Sequence, residues 1–261
     1  MKTVRKVGDV LRLFTTTNPQ HSSSEIAKAL GVSPSSAHEL IHSLAEIGLL
    51  HKVSPGKFRL GKLAVSLARV FEDTDPLFDA AHPVVSEFSK TYGETAQVAA
   101  LQGDRLVILA EREGDHPVRV AAKVVGPESP LYAVAPGKLL LAHMAMAALE
   151  RLLKSTTFVQ FTGFTVRSPS YLLTELSKAM EQGIAVADKE YVADLTTLAT
   201  PIRNHAGSVV AAFGLALPAS RYAVQPRALQ GIAVEAARRV SARLGYVEAS
   251  SRVRRPASAS T

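Results

Sequence analysis

The sequence predicts an α+β protein with two domains: an N-terminal winged helix-turn-helix, and a C-terminal domain built on a mainly antiparallel sheet of six strands. Three patterns in the 261 residues lead to this prediction. Two short helical patterns followed by a hairpin pattern occupy residues 22–60. Another helical pattern separates them from the rest, where short apolar strands alternate with helices. We place the domains at 1–62 and 75–246, with a linker helix over 63–74, and we expect residues 247–261 to be disordered.

Capping and turn residues predict the helix-turn-helix. Ser22 and Glu25 have the spacing of a capping box and open the first helix. Gly31 ends it, because glycine adopts the left-handed C′ conformation without strain. Ser33 can then cap a second helix that has Pro34 at its first position. Two helices joined by so short a turn containing glycine are typical of a helix-turn-helix.

The second helix, from Pro34 to Ile47, is the predicted reader of DNA. Its apolar residues recur at helical spacing, which leaves a polar face directed outward. A turn over 54–57 then joins two predicted strands, 49–53 and 58–60, which form the wing. We expect DNA contacts from both elements, namely from Ser33, Ser35, Ser36, His38, Glu39 and His42 at the helix and from Lys57 and Arg59 on the wing.

Glu39 leaves two interpretations open. Phosphate repels a carboxylate near DNA, yet a carboxylate can accept a hydrogen bond from cytosine N4 in the major groove. Alternatively, Glu39 faces solvent or pairs with a lysine of the wing.

The distribution of charge favours DNA over protein as the partner of this unit. Residues 1–62 hold nine Lys and Arg against four Asp and Glu, a net charge of +5, while the whole chain carries +7. Residues 63–245 are neutral. A unit that neutralises phosphates needs a basic surface of this kind. The alternative, a three-helix unit used for protein contacts, needs no such surface.

The remaining composition excludes several classes of protein. The chain has no cysteine, which removes disulfides, thiol catalysis and cysteine-ligated zinc. We expect no signal peptide and no membrane span, and therefore a cytoplasmic protein. The spacing of His82, His116, His143 and His205 is not that of metal ligands, and no nucleophile is paired with a base. We therefore expect no catalytic residue, no metal and no cofactor.

Alternating patterns predict the C-terminal domain. Strands are expected over 95–101, 105–111, 118–125, 184–191, 198–204 and 208–217, and helices over 76–92, 136–144, 147–153, 170–182 and 225–244. Strands interspersed with helices in this way are typical of a single α+β domain.

With these elements placed, an ordered set of motifs across residues 4–246 resembles the IclR family of transcriptional regulators. The motifs are Phe58-Arg59-Leu60-Gly61, Gly93-Glu94-Thr95-Ala96, the run from Pro130 to Ala142, Gln182-Gly183-Ile184-Ala185-Val186, Thr200-Pro201-Ile202 and the run from Gly207 to Ala212. The resemblance implies a DNA-binding domain followed by an effector-binding domain with a profilin- or GAF-like sheet. It also implies dimers, often paired into tetramers, on palindromic sites near promoters.

The resemblance also implies where an effector binds. The corresponding positions are Ala135, Pro136, Ala187, Asp188, Thr197, Gly214 and Ala216. Relatives that bind sugar acids or small acids have an Asp and a Cys where this chain has Ala187 and Thr197. This chain has Gly214 and Ala216 at two positions where those relatives have serine. Strand alternation puts both positions on one face.

Lost hydroxyls and added space at these positions indicate a larger, apolar or aromatic effector, with one polar handle near Thr197 or Asp188. The alternative is that this face packs as core and that the pocket is partly closed.

Three functional classes follow from these patterns. The first is a regulator, with repression favoured over activation, that binds a palindromic double-stranded DNA operator as a homodimer or tetramer and responds to a small-molecule effector. The second is a DNA-binding regulator whose C-terminal domain serves assembly only. The third, an enzyme, is not expected, because the chain shows no catalytic constellation.

Overall fold

The structure is a computed structural model that describes residues 2–248. The chain divides between Asp75 and Pro76 into two compact units. Residues 247–261 are predicted to be disordered, and from residue 249 onward they lie outside the described part of the chain. None of the described helices is long and apolar enough to cross a membrane.

The N-terminal unit is a winged helix-turn-helix, as the sequence predicts. Its helices are α1 Lys2–Leu13, α2 Ser23–Leu30, α3 Pro34–Glu46 and α4 Lys62–Thr74, and its strands are β1 His21–Ser22, β2 Leu50–Ser54 and β3 Lys57–Leu60. The strand order is β1-β3-β2. Buried Val10, Ile26, Ile41, Leu44 and Phe58 join α1, α2, α3 and the hairpin in one core.

Local hydrogen bonds set the ends of α2 and α3, and they confirm the predicted caps. The Ser22 hydroxyl accepts from the Glu25 N–H at 3.2 Å, and the Glu25 carboxylate accepts from the Ser22 N–H at 2.7 Å. Gly31 ends α2 with a left-handed φ of 61°. The Ser33 hydroxyl caps α3 by accepting from the Ser36 N–H at 3.2 Å.

The C-terminal unit is built on a five-stranded antiparallel sheet. Its strands are β4 Thr95–Gln102, β5 Arg105–Arg112, β6 Ala185–Asp188, β7 Leu195–Arg203 and β8 Val209–Pro218, in the order β5-β4-β8-β7-β6. Its helices are α5 Pro76–Tyr92, α6 Ala135–Ala142, α7 Met146–Ser155, α8 Pro169–Gln182, α9 Ala219–Val224 and α10 Pro226–Arg243. A single 3₁₀ turn, Leu131–Ala133, leads into α6.

Strand alternation separates the core of this unit into two layers. On one face, Leu198, Phe213 and Leu215 pack with α5 and α10. On the other face, small residues such as Ala199 and Ala216 pack with α6 and α8. Because these side chains are short, α6 approaches the sheet closely.

The prediction of a sixth strand over residues 118–125 is wrong: this run is a loop among the described residues. Side chains satisfy its backbone in place of a neighbouring strand. Glu111 accepts from the Lys123 N–H at 3.0 Å, Glu113 accepts from the Ala122 N–H at 2.9 Å, and the Thr95 hydroxyl donates to the Val120 carbonyl. Lys123 also has a φ of 73°, which breaks an extended run.

Candidate DNA-binding and effector-binding sites

The side chains predicted to contact DNA are exposed, and they lie on α3, on its cap and on the wing. They are Ser33, Ser35, Ser36, His38, Glu39, His42, Lys57 and Arg59. The opposite side of α3, formed by Ala37, Ile41 and Leu44, is buried in the core. The helix therefore presents one continuous polar face.

Three serines cluster at the N-terminus of α3. The Ser33 hydroxyl lies 2.9 Å from the Ser36 hydroxyl and 3.1 Å from the Ser35 hydroxyl. Hydroxyls at the positive end of a helix dipole are suited to donate to a phosphate. These hydroxyls are therefore candidates for a contact to the phosphate backbone.

Two histidines occupy the middle of the exposed face of α3. The rings of His38 and His42, one turn apart, lie 4.2 Å apart between centroids, and His42 meets Phe58 of β3 edge-on at 6.4 Å. Glu39 lies between them in sequence and forms no salt bridge among the described residues. The predicted pairing of Glu39 with a lysine of the wing is therefore not seen among the described residues.

The wing presents its basic side chains from β3. Lys57 and Arg59 alternate with buried Phe58, so both point away from the core. Gly56, with a φ of 73°, makes the tight turn between β2 and β3. The turn thus carries Lys57 at the tip of the hairpin, where a phosphate backbone can be reached.

Six of the seven predicted effector positions come together on one face of the C-terminal sheet. Thr197 of β7 pairs with Ala187 of β6 and Ala216 of β8, so the three side chains share that face. Gly214 lies two residues along β8 on the same face. The N-terminus of α6, with Ala135 and Pro136, packs directly on them.

This packing is tight. The Thr197 hydroxyl accepts from the Ala135 N–H at 2.9 Å, and both groups are buried. A Cβ atom placed on Gly214 would lie 3.2 Å from Cγ of Pro136. The space predicted for a larger effector beside Gly214 is therefore occupied by the Pro136 ring in this structure.

The structure does not bring Asp188 together with the other six residues. Strand alternation turns Asp188 to the opposite face of β6 from Ala187, where it is exposed. There its carboxylate accepts a 2.5 Å hydrogen bond from the hydroxyl of Thr196. Of the two predicted polar handles, only Thr197 lies on the effector face.

A buried ion pair lies beside this face, and the predictions from the sequence do not include it. Lys138 of α6 is 2% exposed, and its Nζ lies 2.5 Å from Oε1 of Glu190, which follows β6. Burial raises the pKa of Glu190, although Lys138 opposes the shift. The sequence signal was a single lysine followed at once by the apolar run from Leu139 to Ala142.

The loop over residues 113–125 borders the effector face. Thr95 pairs with Ala216 and so lies on that face. Its hydroxyl accepts from the Gly114 N–H at 3.0 Å and donates to the Val120 carbonyl. The loop is thus attached at the end of the Ala187-Thr197-Ala216 row. Among the described residues, no group of three or more His, Asp or Glu side chains is placed to hold a metal ion.

Comparisons with known proteins match both units. Residues 3–54 match the family model described as the IclR helix-turn-helix domain, and residues 71–242 match that of the bacterial transcriptional regulator IclR C-terminal. The chain is similar to the HTH-type transcriptional regulator KipR of Bacillus subtilis, with 27% identity over 247 residues that cover 94% of this chain and 98% of KipR.

Two further proteins are informative. The HTH-type transcriptional repressor AllR of Escherichia coli is 29% identical over 238 residues, covering 90% of this chain and 88% of AllR. A crystal structure of an IclR homolog from Microbacterium hydrocarbonoxydans, complexed with 4-hydroxybenzoate, matches with a TM-score of 0.77 and 26% identity. The match covers 93% of this chain and 98% of that one.

Proposed function

This chain belongs to the IclR family of bacterial transcriptional regulators, and we propose that it is a repressor whose affinity for a palindromic operator is set by a small apolar or aromatic effector. It is a regulator and not an enzyme. The observation that carries the finer proposal is the convergence of Ala187, Thr197, Gly214 and Ala216 under the start of α6. Repression is favoured because AllR, a relative covering most of this chain, is named a repressor.

The DNA-binding half of the proposal places α3 in the major groove and the wing on the phosphate backbone. Small and polar side chains on the exposed face of α3 can reach base edges, whereas Lys57 and Arg59 supply charge without reading sequence. A two-fold dimer binding two half-sites requires a palindromic operator, with half-sites about one helical turn apart or a multiple of it.

The chemistry of the effector face supports an aromatic ligand over a small acid. The six converging residues include no charged side chain, and their one hydroxyl, on Thr197, already accepts from Ala135. Strand β4 adds Thr95, whose hydroxyl is bonded to the loop over 113–125, and the buried amide of Gln97. A small acid would leave several of its oxygens unpaired, at about 1–3 kcal/mol for each buried bond that is not made. An aromatic ring instead gains about 25 cal/mol for each Å² of apolar surface it buries.

A single polar group on the ring has a defined place in this proposal. The first turn of α6 begins at Ala135, and the positive end of a helix favours a carboxylate or a phenolic oxygen there. The Microbacterium homolog holds 4-hydroxybenzoate, which has this combination of a ring and polar ends. The proposed ligand for this chain is therefore a substituted benzoate or phenol.

One observation favours a second candidate, a regulator whose C-terminal unit serves assembly only. Pro136 packs against Gly214, and Ala135 is hydrogen-bonded to Thr197, so the effector face is closed in this structure. Under this candidate no small molecule would change operator affinity.

Operator binding of the full-length protein distinguishes the two candidates. A duplex selected from a random pool is titrated with protein in the presence of 4-hydroxybenzoate or of pyruvate. We expect the aromatic acid to change operator affinity by about 5- to 150-fold, the usual range of coupling between sites, and pyruvate to have little effect. Equal effects of both acids would overturn the aromatic assignment. No effect of either, or of other benzoates and phenols, would overturn the aromatic effector and favour the assembly-only candidate.

Adjacent threonines provide a matched pair of variants. Thr197→Val removes the hydroxyl on the effector face, and Thr196→Val removes a buried hydroxyl on the opposite face, where it bonds Asp188. We expect only Thr197→Val to change the response to 4-hydroxybenzoate. Thermal melting of both variants checks that they remain folded.

A further inference from the structure

We propose that the C-terminal unit has a second small-molecule site, a cleft that takes a single-ring organic cation such as an arylalkyl amine. The cleft has a volume of about 220 Å³ and lies where the turn at Leu131, the end of α6, the last turn of α7 and the start of α8 meet. This volume exceeds the roughly 150 Å³ in which a buried cavity holds benzene. The proposal goes beyond the function proposed above, because the ligand class and the residues are different.

The floor of the cleft is apolar. Leu131, Leu141 and Leu172 are buried there, and Leu152 and Leu153 of α7 are half-buried along one wall. These five side chains come from the 3₁₀ turn and from three helices, so the shape is held by the core of the unit. A hydrocarbon ring seated on them gains the usual free energy of burying apolar surface.

The mouth of the cleft is acidic. Asp104, at the tip of the turn between β4 and β5, is exposed, lines the cleft and forms no salt bridge in the described part of the chain. The neighbouring charges, Arg105 and Glu128, pair with each other at 3.4 Å and cancel. Asp104 therefore gives the mouth a net negative charge.

The end of α7 adds a smaller charge of the same sign, since the hydroxyls of Ser155 and Thr156 already donate to the Leu152 carbonyl of its last turn. Ser155, its last residue, and Thr156, its C-cap, line the cleft, so the helix terminates there. The C-terminus of a helix carries partial negative charge and favours a cation. Lys154, the basic residue of that last turn, is exposed and is not among the residues that line the cleft. An apolar floor with an acidic mouth selects a ring that carries an ammonium group.

The cleft is separate from the effector face. None of the seven predicted effector positions lines it, and the two sites use opposite ends of α6, which contributes Leu141 to the cleft and Ala135 to the effector face. Each site can therefore be altered while the other is left intact.

The test compares two ligands of the same shape and opposite charge. Calorimetric titration of the full-length protein with 2-phenylethylamine and with 3-phenylpropionate should show the amine binding more tightly, by about two- to fivefold, as expected for a carboxylate exposed to solvent. Asp104→Lys should reverse the order of the two ligands. Glu181→Lys, an identical charge change at an exposed residue of α8 outside the cleft, should leave the order unchanged.

Several results would overturn the proposal. They are equal binding of amine and acid, no binding of the amine at millimolar concentration, an unchanged preference in Asp104→Lys, or the same change in Glu181→Lys. Failure of the effector assignment is distinguishable, because Thr197→Val should leave amine binding intact and Asp104→Lys should leave the operator response to 4-hydroxybenzoate intact. Melting curves of each variant establish that it is folded.

Discussion

At the scale of single residues, Lys138 is a buried side chain that carries a charge. A buried ammonium costs several kcal/mol unless a partner compensates it. Glu190 is the nearer of two partners, at 2.5 Å against 3.9 Å for Glu175. The second oxygen of Glu190, Oε2, is buried without a hydrogen bond among the described residues. The pair fastens α6 to the segment that follows β6, close to the residues proposed to bind the effector.

We expect Lys138→Met to destabilise the C-terminal unit by about 3–5 kcal/mol, because it leaves Glu190 buried without its cation. Adding Glu190→Gln should recover part of the loss, since the buried charge of Glu190 is then removed, while Glu175 keeps its pairing with Lys178. Urea unfolding followed by circular dichroism measures both variants. Lys90→Met is the control: Lys90 lies exposed on α5 of the same unit, and its loss should change stability little. Equal effects of the two lysine variants would contradict the argument.

Glu39 is the residue whose role in DNA recognition is best separated by substitution. If its carboxylate accepts from a cytosine, Glu39→Ala should lower the preference for that base pair by roughly tenfold and so reorder a set of half-site variants. Glu46→Ala removes the same charge from the last turn of α3, where the side chain is also exposed. It should strengthen binding to all variants alike. An unchanged ranking in Glu39→Ala would show that Glu39 only faces solvent.

At the scale of elements, we expect a substitution in the wing to change the affinity for DNA and not the preference for sequence. Lys57→Ala should weaken binding to every duplex to a similar degree and reduce the slope of log affinity against log salt by about one, because one phosphate contact is lost. Titrations at several salt concentrations measure the slope. Lys90→Ala, at an exposed residue of α5, is the control and should leave the slope unchanged. A sequence-dependent loss in Lys57→Ala would assign the wing to base readout instead.

Elements differed in how far the sequence could predict them. Residues three apart, such as Ser22 and Glu25, form the caps of α2 and α3, so the local sequence is enough to predict them. The run over 118–125 has the composition of a strand, yet Glu111 and Glu113 bond its backbone from β5 and the residue after it. Composition does not show which side chains will bond a distant backbone.

The same limit applies to the candidate sites. The exposed face of α3 could be read from helical periodicity, because burial there follows from spacing alone. The contact of Pro136 with Gly214 depends on how closely α6 approaches the sheet, a long-range packing distance that no spacing encodes. Asp188 was grouped with Ala187 by family position, although adjacent strand residues face opposite sides.

For the whole molecule, the charge distribution predicts where DNA binds. Residues 1–62 carry a net charge of +5, whereas residues 63–245 carry none. We expect footprinting of the full chain to show a protected region with dyad symmetry, and we expect removal of residues 1–62 to abolish specific and non-specific binding together. A footprint without a dyad, or binding retained by the truncated protein, would contradict the proposed mode.

The closed contact between α6 and the sheet has a kinetic consequence. For the proposed aromatic effector, entry requires Pro136 to move away from Gly214. We therefore expect the receptive form to be a minor population and the apparent affinity to be reduced by its fraction. The observed rate of association should then level off at high ligand concentration, at the rate of opening. Such a protein would respond to sustained exposure to its effector and not to brief or dilute exposure.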